Sequence, residues 1–235
     1  MNSFDYHAIT FINQFARKSA FFDSVVEQFI TNNFLKGGVL SAIIWFLWFY
    51  RSAPAQDYVR QLLVATLLGS LLAIFLSRVL VHELPYRVRP LYNKELHFVA
   101  PIADWRTEKI ASFSDLNSMP SDTATLVFAL VTGMLLVSRR IGLLALGYAV
   151  VFVCLPRIYM GVHNPTDLLA GALLGTSSVL LTTRPWLMAR LAAPVLAWGN
   201  RYPGAFYAGL FLLTFQVSCM FDDIRTLFSF LFHTH

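Results

Sequence analysis

The sequence predicts an all-α, polytopic membrane protein: six transmembrane helices in a bundle, preceded by interfacial helices and interrupted by one long extracytoplasmic loop. Three observations carry this. Of 235 residues, 57% are hydrophobic and only 13% charged, against about 25% charged in a typical soluble domain. Several apolar runs reach the length of about 17–25 residues that a bilayer-spanning helix needs. The basic residues are concentrated in short segments between those runs, as membrane topology requires. That placement also accounts for the net charge of +5 without a nucleic-acid partner.

Residues 1–32 mix apolar and polar side chains at helical spacing with no run long enough to span, which predicts helices lying on the bilayer surface. Met1 is followed by Asn-Ser-Phe-Asp, with no basic n-region, so no cleaved signal peptide is expected. Residues 33–222 form the predicted membrane domain. Its spans are placed at 34–50, 58–81, 120–137, 141–155, 165–182 and 203–221, with a basic, partly amphipathic stretch from 183 and a tail at 223–235. Gly171 and Gly175 put a small-xxx-small stripe on the fifth span, which predicts close packing of its amino-terminal end. The 91–119 loop carries Tyr92, Phe98, Trp105 and Phe113 amid charges. It is long enough either to cap a site or guide lipid into it, or to lie at the interface on aromatic anchors. Cys154 and Cys219 fall in apolar segments and read as packing residues.

Orientation follows from the loops. Arg51, Arg60, Arg139, Arg140, Arg184, Arg190 and Arg201 share one side with a single acid, Asp57, and that side is predicted to be cytoplasmic. The other acids and all the histidines lie on or near the opposite side, which is predicted to face the periplasm or exterior.

Three polar clusters gather on that outer side. In the first, Arg157 ends a span, His163 follows and Asp167 comes after it, with Asn164-Pro165 as an N-cap and first helical residue. An imidazole near a carboxylate, a guanidinium and a helix N-terminus suits an anion, and the imidazole suits a nucleophile with its orienting group. In the second, Pro120-Ser121-Asp122 opens the third span, so the Ser121 hydroxyl and the first N–H groups, near Asp122, are candidate phosphate donors. The third holds Arg78, His82, Arg87 and Arg89 at the exit of the second span. Guanidinium groups bind phosphoryl oxygens bidentately and offset transition-state charge. No histidine or carboxylate group has ligand spacing, so neither a metal nor another cofactor is expected. No span carries a charged pair at mid-depth, which argues against a transporter or scramblase.

In this order, the clusters resemble the type 2 phosphatidic acid phosphatase superfamily, whose signature is K-x6-RP, PSGH and SR-x5-H-x3-D. The third motif reads PRIYMGVHNPTD, with Arg157, His163 and Asp167 in register and Pro156 in place of the leading serine. The first keeps Arg89-Pro90, with His82 at the lysine position. The second reads PSDT, with Thr123 where the family has a histidine. The text PSDxAT followed by RIYxGVH is similar to the bacitracin-resistance type of undecaprenyl diphosphate phosphatase. The resemblance implies an integral protein of the bacterial inner (plasma) membrane that acts on a lipid phosphate or diphosphate among membrane lipids. His163 would become a phosphohistidine with Asp167 orienting its ring, while Arg89, Arg157, Ser121 and the N–H groups near Asp122 hold phosphoryl oxygens. His82, Arg87 and Arg78 are the candidates for a further cation, and His97 or His82 for a substitute acid.

The family histidine missing at Thr123 protonates the leaving group. A phosphate monoester, with a second pKa of about 6, departs without that proton. An alkoxide, whose conjugate acid resembles water at about 15.7, does not. A lipid diphosphate is therefore the expected substrate, with a lipid monophosphate leaving. The alternative is a family member that binds a phospholipid or polyprenyl phosphate without turnover. Phosphoryl transfer to another lipid would use the same phosphohistidine as hydrolysis.

Overall fold

The longest predicted span, 58–81, becomes the longest of the described helices. The computed structural model describes residues 1–50, 55–103 and 117–224. It is built of helices and turns, with no strand among the described residues. Helices α1 (Ser3–Asn13) and α2 (Ala20–Thr31) are followed by a π-helical turn, Phe34–Gly38, that runs into α3 (Val39–Trp48). Then come α4 (Ala55–Glu83), α5 (Asp122–Val137), α6 (Arg139–Tyr148), α7 (Leu155–Tyr159), α8 (Pro165–Thr182), α9 (Pro185–Arg201) and α10 (Pro203–Ser218). A second π-helical turn, Ala149–Cys154, joins α6 to α7 just ahead of Pro156, where proline leaves the backbone ladder one donor short. Residues 51–54, the part of the aromatic loop that holds Trp105 and Phe113 (104–116) and the end of the tail (225–235) lie outside the described residues.

Among the described residues, two helices are long and apolar enough to cross a bilayer alone, Ala55–Glu83 and Arg139–Tyr159. Two bent pairs raise that to four if each counts as one span: Ala20–Thr31 with Phe34–Trp48, bent by 66°, and Pro165–Thr182 with Pro185–Arg201, bent by 79°. Six separate spans are therefore not what helix length alone gives. At about 1.5 Å per residue, the 16-residue α5 and α10 each reach about 24 Å, short of a hydrocarbon core of about 30 Å. The basic stretch after 182, read from sequence as a connection, folds instead as the 17-residue α9. Its Ala, Leu, Met and Trp content favours helix despite Pro194, and Pro185 starts it where a missing N–H costs nothing.

The core that positions the site is a three-way packing of α4, α5 and α8 through small residues. A Cβ on Gly171 would lie 2.5 Å from the Ser121 carbonyl oxygen, and one on Gly175 2.0 Å from that of Thr125. The α8 backbone thus lies directly against the first turns of α5, the third of the predicted spans, whereas the small-residue stripe is expected to meet both the third and the fourth. Gly69 of α4 meets Val179 and Thr182 of α8 in the same way, and Gly133 of α5 meets Thr66 of α4.

The amino-terminal helices are inside-out. Phe4, Phe11, Phe21 and Phe22 are exposed, while Asp5 and Asp23 are buried. Asp23 accepts a hydrogen bond from the Tyr159 hydroxyl of α7. Asn13 exchanges two hydrogen bonds with the Val99 backbone, 2.7 and 2.9 Å, and Arg17 Nε donates to the Ala100 carbonyl at 2.8 Å. This segment is thereby tied by polar side chains to the end of the bundle that carries α7 and the Val99-Ala100 backbone.

Candidate active site

The three sequence clusters converge around the turn between α7 and α8. Gly161 makes that turn with φ +71°, a left-handed conformation suited to glycine. A Cβ there would lie 2.7 Å from the Phe98 ring and 3.1 Å from the Leu91 nitrogen. The Gly161 carbonyl accepts from Leu91 N–H at 2.9 Å, Arg89 Nη1 donates to the Val162 carbonyl at 2.9 Å, and Asn164 Nδ2 to that of Val88 at 3.3 Å. The Arg89-Pro90 segment is so laid across the turn that carries His163.

The second cluster is fastened on the other side. Asn117 Nδ2 donates to the Leu84 and Pro85 carbonyls, both at 3.1 Å, beyond the end of α4, and its Oδ1 accepts from Arg87 N–H at 3.1 Å. Ser118 N–H donates to the Arg87 carbonyl at 3.2 Å, and Ser121 N–H to that of Asp167 at 3.1 Å. Ser121 caps α5, its buried Oγ accepting from Ala124 N–H at 3.4 Å.

His163 is buried, and its Nδ1 lies 3.0 Å from the Ser118 carbonyl oxygen. A carbonyl only accepts, so Nδ1 carries the proton and Nε2 the lone pair. Asp167 was expected to orient this ring directly. Its Oδ2 stands 3.8 Å from Nδ1, beyond hydrogen-bond reach but close enough to stabilise a positive imidazole. That oxygen instead accepts from Asn164 N–H at 2.7 Å and Asn164 Nδ2 at 3.0 Å. Oδ1 contacts Arg87 Nη1 at 2.8 Å as an ion pair without a directed hydrogen bond. Burial pushes His163 below the ordinary imidazole value, with Arg89 and Arg157 adding to the effect and Asp167 opposing it. Burial likewise lowers the Arg89 guanidinium.

The remaining predicted residues divide. Arg157 is buried, donating from Nη1 to the Val153 carbonyl at 2.7 Å and from Nη2 to Thr123 Oγ1 at 3.2 Å. Among the described residues no carboxylate pairs with it. Arg87 is engaged by two carboxylates, Asp167 and Asp5, which argues against its expected role as a phosphate cation. Asp122 pairs with Arg78 and accepts from Ser77 Oγ at 2.7 Å, so its carboxylate is turned to α4 and Arg78 is drawn toward it. His82 is exposed on the last turn of α4, and His97 is exposed in a left-handed turn. Neither joins the buried cluster.

Residues 93–190 of the chain match the PAP2 superfamily. The chain is similar to that superfamily over this region. It is also similar to "Putative undecaprenyl-diphosphatase YbjG" of Escherichia coli (strain K12), at 27% identity over 158 residues, 67% of this chain and 71% of that protein. No solved structure gives a significant match. The PAP2 match takes in Ser121, Thr123, Arg157, His163 and Asp167. Arg87 and Arg89, which precede it, are joined to it by the contacts at Ser118, Gly161 and Val162. Sequence reasoning missed Asp5 altogether and gave no role to Ser118, Asn117 or Thr166. Asn117 and Ser118 lie just ahead of the Pro120-Ser121-Asp122 helix start, but the backbone carbonyl of Ser118 has no signature of its own.

Proposed function

We propose that this protein is a PAP2 lipid phosphatase acting on a lipid diphosphate at the extracytoplasmic face of the membrane. The reaction runs through a phosphohistidine on His163 Nε2. The observation that carries this reading is the buried His163 ring, whose Nδ1 lies against a carbonyl and whose neutral form is favoured by burial. A neutral ring with a lone pair on Nε2 is a nucleophile. Nε2 attacks the terminal phosphorus, the bond to the bridging oxygen breaks, and the lipid monophosphate departs with the electron pair. Asp167, at 3.8 Å from Nδ1, offsets the positive charge that then develops on the ring. Water attacks the phosphorus, the P–N bond breaks with its pair returning to Nε2, and phosphate leaves. Arg157, Arg89, the Ser121 hydroxyl and the first N–H groups of α5 are the groups proposed to hold the phosphoryl oxygens.

The substrate class rests on Thr123, whose hydroxyl faces Arg157 where a leaving-group acid would stand. The name of the Escherichia coli relative, "Putative undecaprenyl-diphosphatase YbjG", agrees with a polyprenyl diphosphate. Phosphate release from a polyprenyl diphosphate is expected to exceed release from phosphatidic acid by about 10²-fold or more, the lower bound of general-acid assistance. Equal rates would remove the diphosphate assignment.

A pH profile gives a second check. His163 must be neutral to attack, so kcat/KM rises with pH through its pKa. Because burial lowers that pKa from the ordinary 6.5, the acid limb of kcat/KM should lie below pH 6.5. A limb above 6.5 would mean that the ring is stabilised in its charged form, against the arrangement described.

A further inference from the structure

Asp5 is fully buried although it stands in the first turn of an amino-terminal helix whose other face is aromatic and exposed. A carboxylate removed from water needs donors to remain ionised, and this one has a full set from two other parts of the chain. Its Oδ1 accepts from the Thr166 N–H at 3.0 Å. Its Oδ2 accepts from the Thr166 hydroxyl at 2.7 Å and from Arg87 Nη2. Thr166 N–H is the first amide donor of α8, since Pro165 has none, and a carboxylate at a helix N-terminus is favoured by the helix dipole. The other arm of Arg87, Nη1, contacts Asp167 Oδ1 at 2.8 Å. A continuous relay therefore runs from Asp5 through Arg87 to Asp167, and Asp167 Oδ2 holds the backbone of Asn164, next to His163.

We propose that Asp5 is a positioning residue of the PAP2 site, holding Arg87 on Asp167 and the first turn of α8 in place, so that α1 is a working part of the site. Asp5 lies well outside the matched 93–190 region. With Asp5 removed, Arg87 keeps one carboxylate, and its guanidinium can pull Asp167 away from Asn164 or turn toward bound phosphate. The proposal rests on the reading of His163 as nucleophile, and two measurements separate the fates of the two.

The first does not depend on activity. Hydrogen exchange of the 166–168 amides is compared between the wild-type protein and Asp5→Ala, with the core of α4 as internal reference. Docking of Asp5 predicts faster exchange at 166–168 and none at the reference, and unchanged exchange overturns the proposal. The second is a double-mutant cycle in phosphate release from a polyprenyl diphosphate, using Asp5→Ala and Arg87→Met. Asp5→Ala is expected to lower kcat about tenfold, with KM changed much less, and to have little further effect on Arg87→Met, since coupled neighbours are not additive. Additive losses would overturn action through Arg87. If Asp5→Ala does not yield folded protein, Asp5→Asn, which keeps an acceptor for Thr166 but loses the charge facing Arg87, carries the same cycle. Wild type that releases no phosphate removes the nucleophile reading, and the exchange measurement still decides the docking.

Discussion

His163→Ala is expected to lower phosphate release from a polyprenyl diphosphate by about 10⁴–10⁶-fold, the scale of nucleophile loss in an enzyme with a covalent intermediate. The loss should fall on kcat. Arg157, Arg89 and the N-terminus of α5 remain in the variant, so binding of the diphosphate should change little. His163 is buried and held by one hydrogen bond, from Nδ1 to the Ser118 carbonyl, so the substitution leaves that carbonyl and a small cavity behind. A thermal unfolding curve of the detergent-solubilised variant, close to that of wild type, separates lost chemistry from lost fold. Release by wild type and His163→Ala alike at the uncatalysed rate would instead support the alternative of a lipid-phosphate binder without turnover.

The second large effect is a gain. Thr123→His should raise turnover of a lipid phosphate monoester such as phosphatidic acid by about 10²–10⁴-fold, the usual worth of a general acid. Turnover of a diphosphate should change much less. Thr123 Oγ1 lies 3.2 Å from Arg157 Nη2, so an imidazole introduced there enters beside the guanidinium proposed to hold the phosphoryl group. The two leaving groups set the difference: an alkoxide requires a proton, and a phosphate monoester does not. A similar gain on both substrates would show that Thr123 limits the reaction for another reason, such as phosphate placement. No gain on either would show that a different residue already supplies the proton.

Much of the site was legible because its residues are close in sequence and its helix starts are chemically marked. Asn164-Pro165 opens α8 with both residues in their predicted positions, and Ser121 caps α5 as its place before Asp122 suggests. Gly171 and Gly175 identified a close backbone contact, and their partners are Ser121 and Thr125. Tertiary pairing was not legible. Asp5 looks like an ordinary first-turn acid, and Asp23 like another. Only the face they occupy, opposite exposed phenylalanines, hints that they point inward. The motifs mark Arg87 as a candidate cation and the N–H groups near Asp122 as candidate donors, but they do not show which charges pair. The fold gives both side chains an oppositely charged partner, Asp5 and Asp167 for Arg87 and Arg78 for Asp122. The six-span expectation departs from the helix lengths for a different reason. Hydropathy measures how apolar a run is, but it does not register the breaks that turn α2 into α3 by 66° and α8 into α9 by 79°.

The central claim, that phosphorus passes through His163, is tested most directly by trapping the phosphoenzyme. Protein mixed with a polyprenyl diphosphate radiolabelled in its terminal phosphate would be quenched in alkaline denaturant, where a phosphoramidate survives, and the labelled peptide identified by mass spectrometry. Acid-labile, alkali-stable label on the peptide containing His163, absent from His163→Ala, is the predicted result. Phosphate release by wild type without label at His163 at any quench time, together with an active His163→Ala variant, would contradict it.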